Sequence, residues 1–261
     1  MFLRLKTRDC GADFCEIRKP FFKNEVNLKP HKIRYWLHST EKQESPETFA
    51  AKVNEICDLY LHAQVLEKEG TQVVSVDEMT GIQALEHKFP DKLPLPGHPA
   101  ARDFEYIRHG TTSLIGFFHI ASETMYPPYL NETRTEMDFC EAVRQIIATV
   151  PEKEWVFVCD GLNTHKSEML VKLAAQECHL GNELGKKGKS GILKSQQSRA
   201  EFLYTPSHRI RFVYTLKHSS WMNQIEIWFG IINRKLLKRK SYIFSFGIRY
   251  SNAISARSSP Q

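Results

Sequence analysis

Five uninterrupted apolar residues, Trp155 to Cys159 (WVFVC), run directly into Asp160-Gly161. A run so short, rich in β-branched and aromatic residues and closed by an acid and a glycine, suits a buried strand rather than a helix. The acid then stands where the strand ends. Thr71 to Val76 (TQVVSV) repeats the arrangement and ends at Asp77, while Thr112 to Ala121 and Ile210 to Thr215 also read as buried strands.

Helical spacing fills the intervals. Ser45-Pro46-Glu47-Thr48 reads as a helix start, followed by Phe49, Val53, Ile56, Tyr60, Ala63 and Leu66, with an end near Glu69. Thr135 to Val150 and Lys166 to Cys178 carry apolar residues at i, i+3 and i+4 and predict helices packed on a sheet. A last helix is predicted from Ser219-Ser220. Its apolar stripe is Trp221, Ile225, Trp228, Ile232 and Leu236, with Asn223, Glu226, Gly230 and Asn233 on the other flank. Pro90, Pro94 and Pro96 forbid regular pairing between Phe89 and Gly97, which predicts a surface excursion. Strands come first and then alternate with helices, so the fold class is α/β. A chain of 261 residues is long enough to bury such a core.

Charge is unevenly placed. Between Leu180 and Lys240 there are 13 Lys and Arg against three acids, a local +10 in a chain whose net charge is +6, which leaves the remainder near −4. A basic segment of this kind suits a polyanion, although a solvated basic surface reads the same way. The six cysteines show no C-x-x-C spacing and read as free thiols; the 11 histidines show no H-x-x-x-H; no G-x-S-x-G occurs. Zinc and serine-hydrolase chemistry therefore lack their motifs. No apolar run approaches the roughly 20 residues of a membrane span, and Met1 to Lys6 lack a signal peptide's apolar stretch, so the chain reads as intracellular with no membrane partner.

Three acids carry the chemistry: Asp77 and Asp160 at strand ends, and Glu226 on the last helix. Functional groups of open α/β sheets collect where strands give way to loops, so these three can converge. Carboxylates brought together raise one another's pKa unless a cation is present, and hard oxygen ligands suit Mg²⁺ or Mn²⁺. Each acid also has a plain structural reading: Asp160 before Gly161-Leu162-Asn163 as a turn, Asp77 as a strand-end acid whose neighbour Glu78 could equally be the ligand, Glu226 as a helix-edge residue.

The segments VSVDEMTGIQALE (74 to 86), FEYIRHGT (104 to 111), VFVCDGLNTHKSE (156 to 168) and YTLKHSSWMNQIEIWFGIINRKLLKR (214 to 239) occur in this order. Together they resemble the DDE endonuclease domain of bacterial insertion-sequence transposases related to the mariner superfamily. The resemblance implies an RNase H-like mixed sheet flanked by helices, with the family's acids falling on Asp77, Asp160 and Glu226. It implies two Mg²⁺ or Mn²⁺ ions and metal-dependent DNA strand cleavage and strand transfer. The partners would be transposon ends and target DNA, with room for a homodimer on DNA, and the setting the bacterial cytoplasm and nucleoid. Expected DNA contacts are His165, which matches a family position, Lys217 and His218, together with Lys186, Lys187 and Lys189 of the basic segment. The implied organisation is a basic N-terminal segment and linker over 1–45, read as a truncated DNA-binding region. A catalytic domain over 46–240 follows, with a basic insertion at 180–208, and then a poorly ordered tail over 241–261. Two other readings stay open: a metal-dependent nuclease of the same fold, and an inactive remnant that only binds nucleic acid.

Overall fold

The computed structural model describes residues 40–237, apart from 102–103, 181–182 and 218; the expected N-terminal segment up to residue 39, His218 and the tail lie outside the described residues. Helix α1 (Thr40–Glu44) occupies part of the stretch expected to be linker, because its Glu, Lys and Gln residues are good helix formers. Helix α2 (Pro46–Leu61) starts at a proline, whose missing N–H has no partner to lose in a first turn. After a break at His62, α3 (Ala63–Glu69) stops at Gly70, which takes the left-handed conformation at φ 104°.

Strand β1 (Thr71–His87) does not end at Asp77 as expected but runs for 17 residues. The cause is its antiparallel partner β2 (Tyr106–His119), which stays paired from Val74↔His119 to His87↔Tyr106 through two register shifts. The proline-rich excursion between them holds only the isolated bridges Lys92↔Ala101 and Leu95↔His98, as the prolines require. Short strands β3 (Thr124–Met125) and β4 (Tyr129–Asn131) pair with β2. Then follow α4 (Glu136–Ile147), β5 (Glu154–Cys159), α5 (Glu168–Glu177), α6 (Gln196–Tyr204), β6 (Ile210–Tyr214) and α7 (Ile225–Ile232), the last continuing into a π turn at Asn233–Leu237. Helix α6 lies in the expected insertion and has no apolar stripe to announce it; the Ser195 hydroxyl starts it by accepting the Ser198 N–H at 3.0 Å.

The sheet order is β3-β2-β1-β5-β6, with β4 also on β2; β1, β5 and β6 are parallel and β2 is antiparallel to β1. That mixed sheet, covered on both faces by helices, is the RNase H-like architecture. Strand alternation sends Val74, Val76, Trp155, Phe157 and Phe212 to a core closed by α4, α5 and α6. Val73, Val156, Val158 and Val213 face the other way, into a core closed by α2 and α7. The apolar run of β5 is thus buried on both faces.

The last helix starts later than its periodicity predicts. Ser220–Met222 is a 3₁₀ turn, Asn223 is extended, and α7 begins at Ile225, so Glu226 is its second residue rather than one turn inside. Trp221, expected in the apolar stripe, is 69% exposed on that turn. Asn223 interrupts the helix because its buried side chain is bound to β1.

Candidate active site

The pairing of β1 with β5 ends at Ser75↔Val158. Two residues further along each strand stand Asp77 and Asp160. A two-residue step along β1 keeps the face, so Asp77 lies on the α7 side of the sheet, where Asn223 reaches it; Asp160, just past the end of the neighbouring strand roughly 4.8 Å away, turns an oxygen towards His165. Asp77 is not at the end of β1 but at the level where its parallel neighbour stops.

Asp77 is buried. Its Oδ1 accepts the Glu78 N–H at 2.7 Å and its Oδ2 accepts an amide N–H of Asn223 at 3.2 Å. Burial first, and then the nearby charges of Asp160 and Glu226, push its pKa up to about 6, against the opposing Glu78 N–H and His165. Asp160 does not follow the expectation that every acid of the group would be raised. Burial favours its neutral form, but the His165 hydrogen bond and the charges of His165 and Lys166 outweigh that and hold it below the usual carboxylate range. Glu226 is exposed on the first turn of α7.

Asn223 sets the distance between α7 and β1. It is fully buried; its amide donates to the Val76 carbonyl at 3.0 Å as well as to Asp77, and its Oδ1 accepts from the Ser75 hydroxyl. The Ser75 oxygen in turn accepts the Ile225 N–H at 3.0 Å. Gly116, opposite Asp77 on β2, completes the fit. A Cβ there would lie 2.9 Å from the Phe229 ring and 3.2 Å from Ile225, so only glycine lets α7 sit this close.

His165, expected to touch DNA, is instead fully buried. Its Nδ1 lies 2.8 Å from Asp160 Oδ1, and its ring packs on Phe139 with centroids 4.3 Å apart. Burial lowers its pKa, but Asp160, Cys159 and Glu78 more than reverse this and hold it well above the usual histidine value. Lys186, Lys187, Lys189 and Lys217 are exposed, as DNA contacts need to be, and Lys187 pairs loosely with Glu136 at 3.7 Å. The basic insertion is fastened beside the loop that carries Asp160. Gln196 donates to Asn163 Oδ1 at 2.5 Å, and the Arg199 Nε donates to the Lys166 carbonyl at 2.6 Å. Asn223 and Lys166 were not singled out as site residues from sequence, and Glu78 was weighed only as an alternative ligand to Asp77. Alternation along β1 was the signal available for Glu78, since it sends that side chain to the face opposite Asp77.

The oxygen donors of Asp77, Asp160 and Glu226 fit a hard divalent ion, and the part of the Asp77 shift that Asp160 and Glu226 add to the larger effect of burial is one that a cation would relieve. Among the described residues, no three His, Cys, Asp or Glu side chains already converge closely enough to hold one. Cys140 and Cys159 are buried free thiols, and Cys57 is an exposed one.

The family description "DDE superfamily endonuclease" matches residues 72–245, two thirds of the chain, spanning all three acids. The chain belongs to the DDE superfamily endonucleases. No curated protein matches this DDE endonuclease. Solved structures similar to it include a pre-cleavage Mos1 transpososome, at 12% identity and a TM-score of 0.49, covering 88% of this chain and 59% of that one. The Mos1 mariner paired-end complex with Mn is 15% identical at a TM-score of 0.37, covering 88% of this chain and 64% of the other. The corresponding complex with Mg is 14% identical at 0.37, covering 86% and 65%. This DDE endonuclease therefore spans less than two thirds of each of those chains. Among the described residues no helix is long and apolar enough to cross a membrane.

Proposed function

We propose that this chain is the catalytic domain of a transposase that cuts and joins DNA strands, with Asp77, Asp160 and Glu226 as its metal-holding acids. The observation that supports the reading is the parallel pairing of β1 with β5, which brings Asp77 level with the end of β5 where Asp160 follows, while Glu226 adds its charge to Asp77 from α7. Mg²⁺ or Mn²⁺ ions bound there would activate the attacking water or 3′-hydroxyl and stabilise the leaving oxygen. The three carboxylates would supply the oxygen ligands, Asp77 from β1, Asp160 from the loop after β5 and Glu226 from the first turn of α7. Asn223 and Gly116 hold the start of α7, and with it Glu226, against β1 and β2. Lys186, Lys187, Lys189 and Lys217, with Lys166 beside Asp160, bind phosphates and position the strand without reading its sequence. Transposon ends and target DNA are the proposed substrates, in a homodimer that synapses two ends; the setting is the bacterial cytoplasm and nucleoid.

The test is strand cleavage and strand joining by the purified chain on a transposon-end duplex with Mg²⁺ or Mn²⁺, beside Asp160→Asn. The reading expects both reactions in the wild type and neither in the variant. Cleavage without joining would favour a nuclease of the same fold, and DNA binding with no cleavage under either metal would favour an inactive remnant. Equal cleavage by the variant would refute the carboxylate assignment.

A further inference from the structure

Asp77 and Glu78 are neighbours on β1, so they face opposite sides of the sheet. On the side away from α7, the Glu78 side chain is only 2% exposed and its Oε1 lies 3.5 Å from His165 Nε2. Neither of these two buried atoms has a hydrogen bond among the described residues, so they face each other as an ion pair, with the Cys159 thiol also beside the ring. The opposite ring nitrogen, Nδ1, lies 2.8 Å from Asp160 Oδ1 and 3.2 Å from the Asp160 carbonyl. Phe139 packs on the ring, and the Tyr214 hydroxyl donates to the His165 carbonyl at 2.9 Å, so the imidazole is clamped from three sides.

Asp160 needs such support. It stands one residue past the end of β5, where no ladder partner holds its backbone, and its side chain is one-third exposed. A carboxylate in that position is free to turn away unless a fixed donor holds it. Burying a carboxylate and an imidazole together costs stability that a well-packed apolar pair would not, so the pair contributes geometry rather than net stability.

We propose that His165, itself held by Glu78, is a positioning residue that fixes the Asp160 carboxylate for metal binding. Strand β1 thereby orients both aspartates, Asp77 directly and Asp160 through Glu78 and His165. This inference rests on the proposed metal site, and its test separates the two. Mn²⁺ affinity of the whole chain would be measured by calorimetry for the wild type, Asp160→Asn, His165→Leu, His165→Asn and Glu78→Gln, with circular dichroism to confirm folding. Partners of this kind change metal affinity by about 10- to 100-fold in other sites. The expected result is weakening of that order in His165→Leu and recovery of most of it in His165→Asn, whose amide can occupy the place of Nδ1. A merely structural role for the ring would not be rescued by the smaller, polar asparagine. If His165→Leu does not fold, Glu78→Gln decides, with at least several-fold weakening expected. Affinities within twofold of wild type in the folded variants, while Asp160→Asn abolishes binding, would overturn the positioning role and leave the metal site standing. A wild type that binds no Mn²⁺, or an Asp160→Asn variant that binds it equally well, would overturn both.

Discussion

Replacing Asp77 by asparagine should stabilise the metal-free domain at neutral and alkaline pH. In the unfolded chain this carboxyl ionises near 3.8, and in the folded domain near 6. Folding therefore takes up a proton between those values. Stability is highest below the unfolded pKa, falls as pH rises through the interval, and stays lower above the folded pKa. A shift of this size corresponds to about 3 kcal/mol. Burial contributes most, and the facing charges of Asp160, His165 and Glu226 modify it. Asparagine removes the ionisation but turns one accepting oxygen into a donor towards the Asn223 amide, which costs about 1 kcal/mol for the lost hydrogen bond. The net expectation is a gain of about 2 kcal/mol at pH 8, worth roughly 4–8 °C in Tm for a domain of this size, and a loss of about 1 kcal/mol near pH 3.5. Thermal unfolding in EDTA from pH 3.5 to 8 would read both. Curves for wild type and Asp77→Asn that run parallel across the interval would refute the reasoning, because they would mean that Asp77 does not carry the pH dependence.

Changing Lys186, Lys187 and Lys189 together to alanine should weaken DNA binding and flatten its salt dependence, the log–log slope falling by about 2 to 3 as three phosphate contacts are lost; a titration at several salt concentrations checks this, and unchanged slopes would move the surface elsewhere. Gly116→Val should destabilise the fold by about 1–3 kcal/mol, since the added atoms meet the buried Phe229 ring and Ile225, as measured by urea unfolding. Asn223→Ala should cost about 1–3 kcal/mol, because it strips a buried partner from Ser75, the Val76 carbonyl and Asp77 at once. The same variant should lower strand cleavage below what its melting temperature explains, since α7 loses its tie to β1.

Much of the layering was legible in local pattern. The apolar run at 155–159 and the i, i+3, i+4 stripes of α4 and α5 are short-range properties, and the structure places them where that spacing requires. The length of β1 was not legible, because residues 78–87 are held as a strand by β2, a partner reached across the proline-rich excursion. Helix α6 was hidden for the related reason that it lacks an apolar face and is fastened through Gln196 and Arg199 to a loop 33 residues earlier. The start of α7 was misplaced because periodicity sees Trp221 and Ile225 as one stripe, and it cannot see that Asn223 between them is hydrogen-bonded to β1.

The acids divide in the same way. Residue type and strand pattern made Asp77, Asp160 and Glu226 candidates, with Glu78 as an alternative to Asp77, and the resemblance carried by the ordered motifs chose among them. The environment of each was decided by tertiary contacts. Asp77 is raised because the sheet buries it beside two like charges, Asp160 is lowered because a buried histidine reaches it, and His165 is an internal support rather than a surface contact. Spacing along the chain determines which residues share a face of one element. Protonation and burial depend on which elements meet, and here that meeting is set by the register of β1 with β5 and by the contact of α7 with Gly116, which join residues 83 to 113 positions apart.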